Sequence, residues 1–182
     1  MEDIEERADG ILAKTPGYLW DGERLPVPVE DIADSVFGLL VRDVEDLGTA
    51  PGAPPLAEGQ SLSGLLLPAR GEIWVNAGEA RLWPPRRRFT IGHEVGHWVM
   101  HRQPGQQALF CRHVTVDETG ARADTVRDIE EEASAFAAAL LMPRWLFVRE
   151  HARCAGDILT LCDVFGTSRA ATERRVRVLF DG

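Results

Sequence analysis

Two histidines stand four residues apart in this chain, His93 and His97, with Glu94 directly after the first. Residues four apart on an α-helix point the same way, so both imidazoles can reach one metal ion at the distance of about 2 Å that zinc requires. Glu94 lies one step round the helix and is placed to act as a general base on water instead of binding the metal. The spacing therefore predicts metal-assisted hydrolysis.

The residues around this segment favour a buried helix over an exposed one. Much of its circumference is apolar, through Phe89, Ile91, Val95, Trp98 and Val99. The alternative is a surface helix with two solvated histidines. Unpaired imidazoles in a core are costly unless something satisfies them, and a metal ion would do so.

A catalytic zinc site keeps three protein ligands and one open position, so the chain must supply a third ligand. Three consecutive acidic residues, Glu130 to Glu132, open an alanine-rich segment that predicts a helix over 128–142. We predict Glu130 as the ligand because it shares the small, apolar face of that helix. Glu132 is the runner-up and Glu131 is expected to face water. The alternative for all three is stabilisation of the helix dipole.

Two further side chains are candidates for supporting roles. Ser134, one turn after Glu130, is predicted either to hydrogen-bond a metal ligand or to act as a buried spacer. His101, one turn after His97, either touches the edge of the site or favours the negative end of the helix dipole, the interpretation that we prefer. The candidates to stabilise an oxyanion are His101, His113, His151, an arginine and Tyr18.

The remaining pattern predicts an α+β fold, a compact and helix-rich domain with a small sheet. Helices are predicted over 2–14, 30–37, 88–101, 128–142, 144–153, 156–165 and 168–179. Strands are predicted over 39–44, 62–67 and 72–76, the last two as a hairpin, with a short strand at 112–116. The segments 48–60 and 103–126 are otherwise predicted to be loops. We expect one domain over 1–182, with a lead-in over 1–24, a catalytic core over 25–143 and a helical element over 144–182.

Composition excludes several classes of protein. The net charge of −9 arises within residues 1–46, which carry thirteen acidic and four basic side chains. The charges of the rest of the chain are balanced, which argues against a protein whose main function is to bind nucleic acid directly. Three cysteines without a Cys-x-x-Cys pair indicate neither a disulfide framework nor a zinc ribbon. An acidic N-terminus and the lack of a run of about 18 apolar residues predict a cytoplasmic protein that does not cross a membrane.

Two blocks of the sequence resemble one known family. The first is Arg88-Phe89-Thr90-Ile91-Gly92-His93-Glu94-Val95-Gly96-His97, and the second runs from Glu130 through Ala133-Ser134-Ala135-Phe136 to Leu140-Leu141-Met142-Pro143. Both are similar, in order, to the motifs of the ImmA/IrrE metallopeptidases. Gly92 stands where that family usually has Ala, and Ser134 where it usually has Asn or Asp.

The resemblance implies a compact, gluzincin-like zinc endopeptidase. It implies one zinc ion held by His93, His97 and Glu130, with Glu94 as the base. The implied substrate is a protein, a helix-turn-helix repressor of the XRE type.

Two alternatives come from other classes of function. A DNA-binding regulator would use 157–180 as a helix-turn-helix, with Arg169, Arg174, Arg175 and Arg177 on its second helix. A second alternative binds a repressor without cutting it, although the intact ligand set and Glu94 argue against this. The sequence sets neither the oligomeric state nor the identity of the substrate.

Overall fold

The computed structural model describes residues 2–50, 53, 62–102, 109–112 and 122–181. Within these residues it contains eight α-helices and four strands. The helices are α1 Glu2–Lys14, α2 Val29–Phe37, α3 Ala77–Leu82, α4 Pro84–Met100, α5 Arg122–Leu141, α6 Arg144–Arg153, α7 Ile158–Phe165 and α8 Arg169–Phe180. The strands are β1 Leu40–Val44, β2 Leu62–Leu67, β3 Glu72–Asn76 and β4 Leu109–Arg112. The α+β prediction is confirmed.

The four strands form one mixed sheet in the order β1-β3-β2-β4. Strands β2 and β3 are the predicted antiparallel hairpin, with Leu65 opposite Trp74. Strand β1 pairs parallel to β3, with Leu40 opposite Glu72. Strand β4 pairs antiparallel to β2 with a shift in register between Leu62 and Gly64.

The core lies between this sheet and two long helices, α4 and α5. Leu66 and Ile73 from the sheet meet Ile91 and Val95 of α4, and all four are fully buried. Burial of this apolar surface is what fixes α4 against the sheet, at about 25 cal/mol per Å².

Helices α4 and α5 run antiparallel in very close contact. A Cβ atom added at Gly92 would lie 3.4 Å from the Cβ of Ala137, and one at Gly96 would lie 3.1 Å from the backbone oxygen of Ala133. Glycines on one helix and alanines on the other therefore let the two backbones approach. This approach brings the two segments that carry the predicted ligands together.

Helix α4 begins four residues before the predicted start. We expected Pro84 and Pro85 to end the preceding region and the helix to begin at about Arg88, but the two prolines occupy its first turn. Proline is well tolerated there because the first N–H groups of a helix have no partner within it. Helix α3 was not predicted, although Asn76 caps it by accepting a hydrogen bond from the N–H of Glu79.

Helix α5, which carries the predicted ligand Glu130, is also longer than predicted. Helix α5 begins at Arg122 instead of residue 128, since residues 122–127 contain neither Gly nor Pro to stop it. Strand β4 occupies 109–112, before the strand predicted at 112–116, and uses the apolar run Leu109-Phe110-Cys111. Residues 51–52 and 54–60 of the first predicted loop lie outside the described residues, as do 103–108 and 113–121 of the second. Leu47–Thr49, at the start of the first loop, forms a short 3-10 turn.

The three C-terminal helices agree with their predicted positions. Gly166, in the left-handed conformation, ends α7, and the Ser168 hydroxyl caps α8. Arg175 of α8 is 2% exposed and ties this region to α1, because it donates to the backbone oxygen of Met142 and to the carboxylate of Glu5. None of the described helices is long and apolar enough to span a membrane.

Candidate metal centre

Helix α4 presents its two histidines to the same point. His93 and His97 are 4% and 1% exposed, and their rings stand nearly perpendicular with centroids 4.7 Å apart. The two Nε2 atoms are 3.0 Å apart. The two imidazoles therefore converge across one helical turn, as predicted.

Helix α5 adds Glu130 to this pair. One carboxylate oxygen, Oε2, lies 3.1 Å from His93 Nε2, and the other, Oε1, lies 3.2 Å from His97 Nε2. Burial raises the pKa of Glu130, but hydrogen bonds and charge from the two histidines outweigh it and lower this pKa to about 2. The site thus favours an ionised carboxylate beside the two imidazoles.

These three residues form a group that could hold a metal ion, and no other such group occurs within the described ranges. Their ligand atoms are separated by 3.0 to 3.2 Å. Ligands at about 2.0 Å from a tetrahedral ion are about 3.3 Å apart, so the observed separations fit such an ion. Hydrogen bonds alone do not satisfy the cluster, because each Nε2 has only one bonding direction and faces two neighbours.

Glu94 is fully buried beside this group, on the side of strand β2. The side chain of Glu94 has room there because residue 64 of that strand is a glycine. A Cβ atom at Gly64 would lie 2.9 Å from Glu94 Oε1 and 2.3 Å from Thr90 Cγ2, closer than real Cβ contacts. The sequence reasoning missed Gly64, although a glycine inside an apolar strand is itself a signal of close approach.

Ser134 contacts His93 on the side of the ring opposite to Glu130. Its Oγ lies 3.2 Å from His93 Nδ1, the nitrogen that faces away from Glu130. Of the two predicted environments for Ser134, the hydrogen bond to a candidate ligand is the one observed. A hydroxyl can both donate and accept, so this contact holds the ring without fixing its tautomer.

The second histidine, His97, contacts His101, which in turn contacts Glu132. His101 Nδ1 lies 3.0 Å from His97 Nδ1, and His101 Nε2 lies 2.9 Å from a carboxylate oxygen of Glu132. His101 is also the C-cap of α4. Both predicted environments of His101 are thus present together. Glu132, the runner-up for the third ligand, reaches His101 instead, and Glu131 is exposed as expected.

The other predicted candidates lie in different surroundings. Tyr18 is 84% exposed, in the turn after α1. His151 stacks on Phe147 and Phe180. His113 lies outside the described residues.

The arginines of α8 bear on the alternative of a DNA-binding helix. Arg175 is buried and paired with Glu5, so it cannot face a nucleic acid. Arg169 pairs with Glu173 on its own helix. One of the four arginines that this alternative requires is therefore buried, and a second is paired on the exposed surface of its own helix.

Comparisons with known proteins give a family and a fold. The Peptidase_M78 family model, which describes the IrrE N-terminal-like domain, matches residues 55–177. A solved structure of a Mycobacterium tuberculosis transcriptional regulator is similar, with a TM-score of 0.56 and 17% identity. The match covers 97% of this chain but 47% of that one, so the chain spans about half of the regulator. We found no match among curated proteins.

Proposed function

Since the chain belongs to the Peptidase_M78 family of IrrE N-terminal-like domains, we propose that it is a zinc metallo-endopeptidase. The observation that carries this proposal is the convergence of His93 Nε2, His97 Nε2 and the Glu130 carboxylate within 3.2 Å of one another. Two imidazoles and one carboxylate are the ligand set of many catalytic zinc sites. Three protein ligands leave a coordination position for water or substrate.

When bound, the zinc ion supplies a Lewis acid that polarises the scissile carbonyl and acidifies water. Glu94 takes the proton from the attacking water and later delivers it to the leaving amine. Its full burial suits this role, because a carboxylate with restricted access to solvent exchanges its proton with the reacting groups instead. Gly64 keeps the space that this carboxylate needs.

We further propose that the substrate is a helix-turn-helix repressor of the XRE type, acted on in the cytoplasm. The support for this substrate is the resemblance to the ImmA/IrrE metallopeptidases in the two motif blocks around His93 and Glu130. The α7–α8 unit offers a docking surface for such a repressor, since this helix pair exposes the apolar side chains Leu159, Val178 and Phe180.

The proposal is tested by incubating the purified, zinc-loaded protein with an XRE-type repressor from the same organism. We expect one or a few discrete cuts, seen by intact-mass spectrometry, that a chelator prevents and zinc restores. Glu94→Gln is the matched control, because it removes the base while keeping size and the ligand set.

Each outcome has a defined meaning. Cleavage by Glu94→Gln at the rate of the parent would contradict the assigned role of Glu94 as the base. Stoichiometric zinc binding without cleavage of the repressor or of a peptide library would favour the regulator that binds without cutting.

A further inference from the structure

The two candidate histidine ligands are supported by different partners. Behind His93 stands one neutral hydroxyl, that of Ser134, at 3.2 Å. Behind His97 stands a chain of two side chains, His101 at 3.0 Å and then Glu132 at 2.9 Å from His101. This chain runs from a ligand that is 1% exposed to a carboxylate whose side chain is 53% exposed.

When Glu132 is ionised and His101 is neutral, the carboxylate at the outer end of the chain sets the direction of both hydrogen bonds. An ionised carboxylate only accepts, so His101 Nε2 must donate to Glu132. In neutral His101 the other nitrogen, Nδ1, then carries no hydrogen and accepts one from His97 Nδ1. His97 Nε2 is left with its lone pair, pointing at His93 and Glu130.

The reverse direction is incompatible with metal binding. If His97 Nδ1 accepted a hydrogen bond, its Nε2 would carry the proton and could not coordinate an ion. The position of Glu132 thus selects the tautomer of a residue that it does not touch.

We propose that His101 and Glu132 are positioning residues that hold the ring of His97 and keep its Nε2 available for the metal. This inference rests on the proposed metal centre formed by His93, His97 and Glu130. Partners of this kind behind a ligating histidine change metal affinity by about 10 to 100-fold when removed. Glu132 therefore serves the site through His101 and is not a ligand.

The test is the zinc affinity of His101→Leu, Glu132→Gln and the double variant, measured by competition with a chromophoric chelator. We expect each single variant to bind zinc about 10 to 100-fold more weakly than the parent. Because the residues act in series, the double variant should be no worse than His101→Leu within about twofold. Glu131→Gln removes the same charge from the adjacent, exposed position and should leave affinity unchanged.

Two spectroscopic measurements separate positioning from a general loss of structure. In the cobalt-substituted protein, the visible d–d bands should shift in His101→Leu and Glu132→Gln but not in Glu131→Gln. In the zinc-loaded parent with ¹⁵N-labelled histidines, His101 should carry its hydrogen on Nε2 and His97 on Nδ1. The second measurement needs no variant, so it holds if His101→Leu fails to fold.

The results that overturn the inference differ from those that overturn the metal centre. Parental affinity in both single variants, multiplied losses in the double variant, or a hydrogen on His101 Nδ1 would each refute the chain while leaving the peptidase intact. The metal centre and the chain would be refuted together if the parent protein binds no zinc. They would also be refuted together if the Glu130→Gln variant binds zinc as tightly as the parent.

Discussion

Two regions of the molecule contain contrasting groups of buried polar side chains, the α4–α5 contact and the place where the C-terminal helices meet α1. In the C-terminal region donors meet acceptors: Thr167 and Thr172 share a hydrogen bond of 2.8 Å, and Arg175 donates to Met142 and Glu5. At the α4–α5 contact two imidazole nitrogens and a carboxylate face one another. Matched donors and acceptors indicate a structural role, whereas converging ligand atoms indicate a site for an ion.

The strongest test of this contrast is the loss of the carboxylate ligand. Glu130→Gln should weaken zinc binding by several hundredfold, since one ligand contributes roughly 3–4 kcal/mol of the 10–16 kcal/mol found for four-ligand zinc sites. Isothermal titration calorimetry with zinc measures this effect. Thermal unfolding of the metal-free variant should stay close to that of the parent; a collapse of the fold would instead make Glu130 structural.

The C-terminal region should respond in the opposite way. Arg175→Met removes the buried guanidinium and leaves the Glu5 carboxylate, 21% exposed, without its cation. We expect the free energy of unfolding to fall by about 3 kcal/mol, measured by urea denaturation. Zinc affinity should be unchanged. A loss of zinc binding in the folded variant would show that the two regions are coupled.

A substitution at Gly64 tests whether the space beside Glu94 is needed for peptide hydrolysis. Gly64→Ala places a methyl group 2.3 Å from Thr90 Cγ2 and 2.9 Å from Glu94 Oε1, so it should destabilise the fold by about 1–3 kcal/mol. It should also slow peptide hydrolysis while zinc still binds. Gly10→Ala is the control, because nothing lies within 4 Å of its added Cβ. Full activity in Gly64→Ala would mean that Glu94 does not need this position.

The smallest effect concerns Asp9, whose buried Oδ1 lacks a hydrogen-bond partner among the described residues. Burial and the nearby charge of Glu5 raise the pKa of Asp9 above 3.8, against the opposing charge of Arg175. A raised pKa favours the protonated form in the folded protein, so this stability is present at low pH and is lost as pH rises through the folded pKa.

Asp9→Asn should therefore be slightly more stable than the parent at pH 7, and the gain should vanish below about pH 4. Differential scanning calorimetry across this range measures it. A variant less stable at pH 7 would show that the Asp9 charge supports Arg175 instead of opposing Glu5.

The sequence predicted most of what lies within one helix or one hairpin. The four-residue spacing of His93 and His97 fixed their common direction, and the small face of α5 singled out Glu130 over Glu132. The predicted start of α4 was wrong. We interpreted Pro84 and Pro85 as the end of the preceding region, but prolines can also occupy the first turn of a helix. The links from Gly64 to Glu94 and from Glu132 to His101 could not be predicted, since each depends on the distance and rotation between two elements distant in sequence.

The close contact between the helix backbones at Gly96 and Ala133 limits how this centre could be transferred to another protein. The three candidate ligands occupy their places because two helical backbones lie nearly in contact, with no room for a methyl group at residue 96. Grafting the ligands alone onto an ordinary helical pair, with axes 8–10 Å apart, would leave the carboxylate short of its target. Gly96 and Ala133, which are not candidate ligands, would have to be transplanted first.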